Sequence, residues 1–397
     1  YHVQKAQPVR RPWLLVALLS FTAAASYLCR VNVSVTGALM MREFGWSQAQ
    51  LGRVFSAFLL GYAICQIPAG MLADRFGARR VLAASAFLWV LGTSLLAITG
   101  WIAAILAIRF FIGVFESPTF PASAQSISRW IAPERRARAN GFVIASIGIG
   151  SAAAPPLVSA LMVRFGWRTA ILTTAIPALV AGCLWLLNQE PAPERRPLNA
   201  PPDSPAPHRT GNFLLLTASY TLQGYVGYIF VFWFYLYLVE VRHFSLLRGA
   251  LLGSLPWLLS IVSIPLGGWL SDHLVSRYGE KWGRRLVPLI AMPAAGVLLS
   301  LGARTSIDVV AAVAMAISTA LILCVEGPFW ATMTRLAGSR SGSAGGAMNM
   351  GSNIGGLISP ALTPLLAEWV GWEAALHVAA LLAIVGGLLW LRIAEDL

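Results

Sequence analysis

The sequence predicts an all-α membrane protein with twelve transmembrane helices in two pseudo-symmetric six-helix bundles and both termini cytoplasmic. Three observations lead there. The chain is 57% hydrophobic and 11% charged, against about 25% charged residues in a typical soluble domain. Apolar runs recur along its whole length, each near the roughly 20 residues a helix needs to cross a hydrocarbon core about 30 Å thick. The first half of the chain also aligns with the second.

The expected spans, in order, are 13–39, 50–72, 80–98, 102–126, 139–162 and 168–188, then 212–238, 249–271, 285–303, 306–333, 343–366 and 372–392. In lipid each backbone polar group must find its partner within its own segment, and these runs are too long for barrel strands, so they are helices. The first run exceeds a secretory signal peptide and leads into further spans rather than a soluble domain, so it counts as a span. Between spans six and seven lies QEPAPERRPLNAPPDSPAPHRTG (189–211), a polar, proline-rich stretch with the composition of a linker. The expected division is therefore an N-terminal bundle at 1–188, a cytoplasmic linker at 189–211 and a C-terminal bundle at 212–397.

The net charge of +13 is distributed as membrane topology requires. With the N-terminus inside, cytoplasmic segments hold 20 of the 29 Lys and Arg and the outer loops hold six, the bias of the positive-inside rule. That pattern points to lipid rather than nucleic acid, and to a multi-pass protein of the plasma (inner) membrane. Arg30, Arg53 and Arg109 fall within spans. Cys29, Cys65, Cys183 and Cys324 lie in spans without CxxC pairing, so they suggest packing rather than disulfides or a metal site. The two lysines, Lys5 and Lys281, lie outside any glycine-rich phosphate loop, which argues against nucleotide hydrolysis. Five scattered histidines and the lack of HExxH or GxSxG argue against a membrane-embedded enzyme. No cofactor or metal is expected.

The internal repeat points to transport. GSAAAPPLVSALMVRFGWRTA from Gly150 aligns with GGLISPALTPLLAEWVGWEAA from Gly355, matching Gly150 with Gly355, Pro155 with Pro360, Gly166 with Gly371 and Trp167 with Trp372. Gly70 and Asp74 likewise match Gly268 and Asp272. Gly70-MLA-Asp74-Arg75-F-Gly77-A-Arg79-Arg80 resembles the signature loop of the major facilitator superfamily, and Asp272 through Arg285, including Arg277, resembles its degenerate second copy. The gating expectation is that Gly70 permits close helix contact and that Asp74 and Asp272 pair with Arg75, Arg79 or Arg277 in contacts that break as the halves rock. The plainer alternative is that these arginines only fix topology.

Charges inside the membrane cost at least about 2.5–3.5 kcal/mol, so each one present invites a functional explanation. Arg109 and Glu116 are seven residues apart on span four and share one helical face. At about 1.5 Å per residue, Arg30 and Arg109 both fall roughly 6–8 Å outside the bilayer centre and Glu116 about 3 Å inside it. Two guanidinium groups level with each other suit an anion, and a carboxylate one step deeper suits a proton. A permanent Arg109–Glu116 brace is the alternative. Glu326, followed by Gly327-Pro328, shares a face with Trp330. It either takes a proton or cation, or caps an internal helix break. Gln223, Tyr225, Tyr228, Trp330 and Ser352 offer donors suited to a polyol, although membrane aromatics also serve packing. His377 reads as a packed polar residue.

Tyr27-L-Cys29-Arg30-V-Asn32-V-Ser34, Arg109-FFIGVF-Glu116-SPTFPA and Asn349-MGS-Asn353-IGGLISP resemble the anion:cation symporter branch of that superfamily. The resemblance implies proton-linked transport of an organic carboxylate such as a sugar acid. It places Arg30 and Arg109 in the substrate site with Tyr27, Tyr62 and Asn353 as contacts, and makes Glu116 the proton carrier. Several sugar-acid members of the branch carry an aspartate where this chain has Cys29, so that second proton site is missing here. The expected partners are thus a small organic anion, protons and lipid, with the chain a monomer. The other reading is an anion uniporter or exchanger without proton coupling.

Overall fold

The computed structural model describes residues 12–131, 133–188, 210–337 and 341–393. Residues 1–11, 132, the linker through 209, 338–340 and the last four residues lie outside this description. The fold is helical throughout the described residues. In order these are α1 (Pro12–Phe44), α2 (Gln48–Phe76), α3 (Ala78–Ile98), α4 (Ile102–Glu116), α5 (Thr119–Trp130), α6 (Pro133–Phe165) and α7 (Trp167–Leu187). The second half contains α8 (Thr210–Phe232), the short α9 (Phe234–Leu236) running into a π-helical turn at Tyr237–Val241, α10 (Leu246–Arg304), α11 (Asp308–Cys324), α12 (Glu326–Ala337), α13 (Ser341–Leu388) and α14 (Trp390–Ile393). The second half therefore starts at Thr210 rather than 212. Ten stretches of the described residues are long and apolar enough to cross a membrane.

The 59 residues of α10 would reach about 88 Å if straight, far beyond a bilayer core. The helix breaks at Gly279 (φ 76°, ψ 171°) and folds back, since Ser271 Oγ donates to the Gly283 carbonyl at 3.3 Å and Arg284 meets Asp272 at 2.6 Å. Twelve residues of straight helix would hold such groups about 18 Å apart. Gly371 (φ 85°, ψ 159°) breaks α13 in the same way. Gly77 between α2 and α3 and Gly166 between α6 and α7 take the same backbone conformation, at φ 85° and 82°. That region of backbone space is essentially restricted to glycine. Gly77 and Gly166 in one half thus correspond to Gly279 and Gly371 in the other, and the sequence repeat is also a repeat of turn geometry.

A second correspondence lies mid-helix. α4 gives way to α5 at Glu116-Ser117-Pro118, and α11 to α12 at Glu326-Gly327-Pro328. Proline lacks the amide hydrogen that would continue the helix. At the first break hydroxyl groups cover freed carbonyls: Ser117 Oγ donates to Val114 O and Thr119 Oγ1 to Glu116 O, each at 2.8 Å.

The halves pack through α2 against α13, α6 against α10, and α1 against α8 and α9. We call the face where α7 ends and α8 begins the linker face. Hydrogen bonds and ion pairs join the halves from Gln66, near mid-depth, to the opposite face. They include Ser34 Oγ to Phe232 O (2.6 Å), Ser56 Oγ to Leu357 O (2.7 Å), Trp372 Nε1 to Gln48 (3.0 Å) and Arg42 with Glu240 (3.0 Å). The rings of Phe55 and Phe232 stack at 4.8 Å in the same layer. The two halves are sealed at the face opposite the linker.

Candidate functional site

Close approach of α2 and α4 builds the N-terminal wall of the site. A Cβ on Gly61 would overlap the Phe110 carbonyl, and one on Gly113 the Phe58 carbonyl. With the backbones in contact, Arg109 and Glu116 are brought against Phe58 and Tyr62, and α1 adds Arg30. Arg30 and Arg109 are each 1% exposed and Glu116 is fully buried. Arg30 donates from Nε and Nη2 to Glu116 Oε1 at 3.0 and 2.5 Å, and from Nη1 to the Tyr27 hydroxyl at 3.1 Å. Its guanidinium lies over the rings of Tyr27 (4.3 Å), Tyr62 (4.5 Å) and Phe58 (5.0 Å). Arg109 lies over the same Phe58 ring at 4.6 Å.

A permanent Arg109–Glu116 brace, the alternative that their shared helical face allowed, is therefore not what forms: Glu116 pairs with Arg30 of α1 instead. Arg109 Nε and Nη2 are buried without a hydrogen-bond partner. Unsatisfied buried donors on a cation are costly unless something polar meets them, and Arg109 presents two. The Cys29 thiol, within electrostatic reach of Glu116 and Arg109, donates to Thr174 O of α7 at 3.0 Å, while Asn32 donates to Thr174 Oγ1 at 2.7 Å.

The C-terminal wall comes from α8, α12 and α13. Tyr228 donates to Asn353 Oδ1 at 3.2 Å, and it lies within electrostatic reach of Arg30, Tyr62 and Glu116 on one side and Glu326 on the other. Gln66 of α2 accepts from Asn349 at 3.1 Å and Asn353 at 3.5 Å, which ties the two walls together. Glu326 begins α12 and accepts from Tyr220 (2.8 Å), Gln223 (3.0 Å) and Trp330 (3.3 Å). Ser352 packs on Gly224 of α8, where an added Cβ would strike it, and the Tyr225 hydroxyl bonds Thr363 at 3.1 Å, so these two serve helix packing. His377 is a packed polar residue with partners that its neighbours in the sequence did not reveal, Ser300 Oγ at 2.7 Å and Glu373 at 3.4 Å. It lies near the face opposite the linker, away from the central cluster.

The gating residues lie toward the linker face. Gly70 is not required by close packing, because a Cβ there would make an ordinary 3.7 Å contact with Pro121. The tight contact in the second half belongs to Gly267, whose Cβ would overlap the Cys324 carbonyl, rather than to Gly268. Asp74 accepts from Gln125 at 3.1 Å, and Arg79 donates to the Trp185 and Leu186 carbonyls at 3.3 and 2.5 Å. Asp272 pairs with Arg284 rather than Arg277. Arg75 and Arg277 lie over their neighbours Phe76 and Tyr278 at 5.2 and 5.9 Å. Each of these contacts stays within one half.

Two helical halves sealed at one face, with buried charges where they meet, define a multi-pass membrane transporter. The family model of the Major Facilitator Superfamily matches residues 19–360, and the chain belongs to that superfamily. It is 27% identical over 402 residues to a probable sulfoacetate transporter of Cupriavidus necator, covering 96% of this chain and 94% of the relative. It is 26% identical over 435 residues to a D-galactonate transporter of Escherichia coli, covering 99% and 98%. Its fold matches a bacterial homolog of the human lysosomal transporter Spinster, in an inward-facing and occupied conformation, with a TM-score of 0.84 at 16% identity over 99% of this chain and 98% of that one. The protein is a transporter and not an enzyme.

Proposed function

We propose that the chain is a secondary active transporter that carries a small organic anion, a carboxylate or sulfonate, together with a proton. The observation that carries this reading is the buried Arg30–Glu116 pair beside Arg109, whose nitrogens are unpartnered. With Glu116 ionised, Arg30 is held by the carboxylate. A proton on Glu116 weakens that hold and frees the Arg30 guanidinium to join Arg109 in a two-armed grip on the anion. Proton and anion thus favour each other's binding, the thermodynamic requirement for symport. The relatives named for sulfoacetate and D-galactonate support the anionic cargo.

The breaks of α10 at Gly279 and of α13 at Gly371 support a reading of twelve spans in two bundles of six. The lysine and arginine bias places the termini and the linker face in the cytoplasm, which makes the sealed face the outer one and the captured state inward-facing. Rocking of the halves about the central site then exposes it alternately to each side. Asp74, Arg75, Arg79, Asp272 and Arg277, at the linker face, belong to the contacts that rearrange. The working unit is one chain in a plasma membrane.

Uptake of a panel of carboxylates and sulfonates into proteoliposomes tests the cargo. Saturable uptake of at least one of them, lost in Arg109→Gln, is expected. Transport of neutral polyols with equal efficiency by both proteins would overturn the anion reading.

A further inference from the structure

Glu326 is the central acid that the symport scheme does not use. Its partners among the described residues are neutral: the Tyr220 hydroxyl and the Trp330 indole on Oε2, and the Gln223 amide on Oε1. An indole N–H only donates. The Gln223 amide nitrogen also reaches the Ile322 carbonyl at 3.2 Å, an acceptor that fixes which end of the amide faces Glu326. All three contacts therefore donate to Glu326. A carboxylate offers about four acceptor positions, so one on Oε1 is still open. Glu326 is half-buried, and Trp330 beside it is 40% exposed.

The two corresponding helix breaks thus carry acids with opposite surroundings. Glu116 has Arg30 as its counter-charge, and with Arg109 the N-terminal wall carries one net positive charge. Glu326 has no cation among its contacts, so when it is ionised the C-terminal wall carries one net negative charge. Tyr228 lies between the two within electrostatic reach of both. Whether or not Glu116 holds a proton, an anion on Arg30 and Arg109 leaves Glu326 with only neutral groups among its contacts.

We infer that the carried anion also bears a cationic nitrogen. The cargo is then an amino-carboxylate or amino-sulfonate, its anionic end on Arg109 and Arg30 and its ammonium donating to Glu326. Aromatic side chains flank that end, as suits an ammonium ion. This inference rests on the anion reading above and adds to it a requirement at the other end of the molecule.

Matched pairs of ligands that differ only in amino against hydroxyl test it by calorimetry on the purified full chain: taurine and isethionate, 3-aminopropionate and 3-hydroxypropionate, 4-aminobutyrate and 4-hydroxybutyrate. In at least one pair the amino member is expected to bind about tenfold or more tighter, the range of a charge-paired hydrogen bond, with the ratio falling to near one in Glu326→Gln. If E326Q is not recovered as a monodisperse protein, Glu326→Asp replaces it and is expected to lower the ratio. Binding of hydroxy members as tight as that of amino members in every pair would overturn the inference and leave the anion reading standing. An amino preference that persists undiminished in the variant would place the ammonium elsewhere and also overturn it. Failure of every member to bind would overturn both readings together.

Discussion

Replacing Glu116 by Gln removes one negative charge and keeps the side chain's size. In the wild-type site Glu116 Oε1 stands 3.0 and 2.5 Å from two nitrogens of Arg30, so an anion approaching Arg30 meets a like charge already in place. A unit charge roughly 6 Å from the bound anion, at an effective dielectric of about 20, contributes about 2.8 kcal/mol of repulsion, close to a hundredfold in affinity. The Gln carbonyl still accepts from Arg30, so an increase of about 10–100-fold in anion affinity is expected. Wild-type binding should weaken as pH rises, because loss of the proton from Glu116 returns Arg30 to its carboxylate, whereas binding to E116Q should be flat with pH. Calorimetric titration of both proteins at acidic and alkaline pH measures the two effects at once. Weaker binding by E116Q, with the pH dependence retained, would refute the reasoning and show that Glu116 merely positions Arg30.

The two arginines should behave differently on removal. Arg30→Ala strands a buried carboxylate and should cost about 3–5 kcal/mol of stability, whereas Arg109→Met removes a charge with two unpartnered nitrogens, so thermal unfolding of the unliganded protein should be unchanged or raised while anion binding is lost. Gly371→Ala forces a side chain into backbone at φ 85° and should cost about 1–3 kcal/mol, seen as a lower unfolding temperature with unaltered anion affinity. Gly52→Val drives a side chain into the Pro360 carbonyl across the sealed layer. It should open that face, so that a cysteine at Ser56, on a background lacking the four native cysteines, reacts with an impermeant maleimide added from the side opposite the linker; unchanged reactivity would contradict the seal.

Much of this architecture was legible because a bilayer imposes strict rules on a sequence. Apolar runs, their number per half and the glycine–tryptophan matches at Gly166 and Gly371 pointed to a duplicated helical fold, and unusual charges marked Arg30, Arg109 and Glu116. The pairing among those charges was not legible. Glu116 shares a helical face with Arg109, yet Arg30, 86 positions earlier in the chain, reaches it because the α2–α4 backbone contact turns that face toward α1. Gln66 was missed because one amide among apolar neighbours gives no signal until Asn349 and Asn353 are seen opposite it. Gly70 looked like a packing glycine from its spacing, but the space beside it admits a side chain. The counterpart of Gly77, Gly279, lay in a polar stretch where the two halves differ, and only the shared backbone angles revealed it.

The central claim is that an anion and a proton cross together through the Arg30, Arg109 and Glu116 site. Proteoliposomes loaded with a pH-sensitive dye, with no imposed pH gradient, test it most directly when the transported anion is added outside. Acidification of the lumen that follows anion entry in the wild type, and is absent in Glu116→Gln while anion exchange persists, is the predicted result. Anion entry with no proton movement in the wild type would contradict the account.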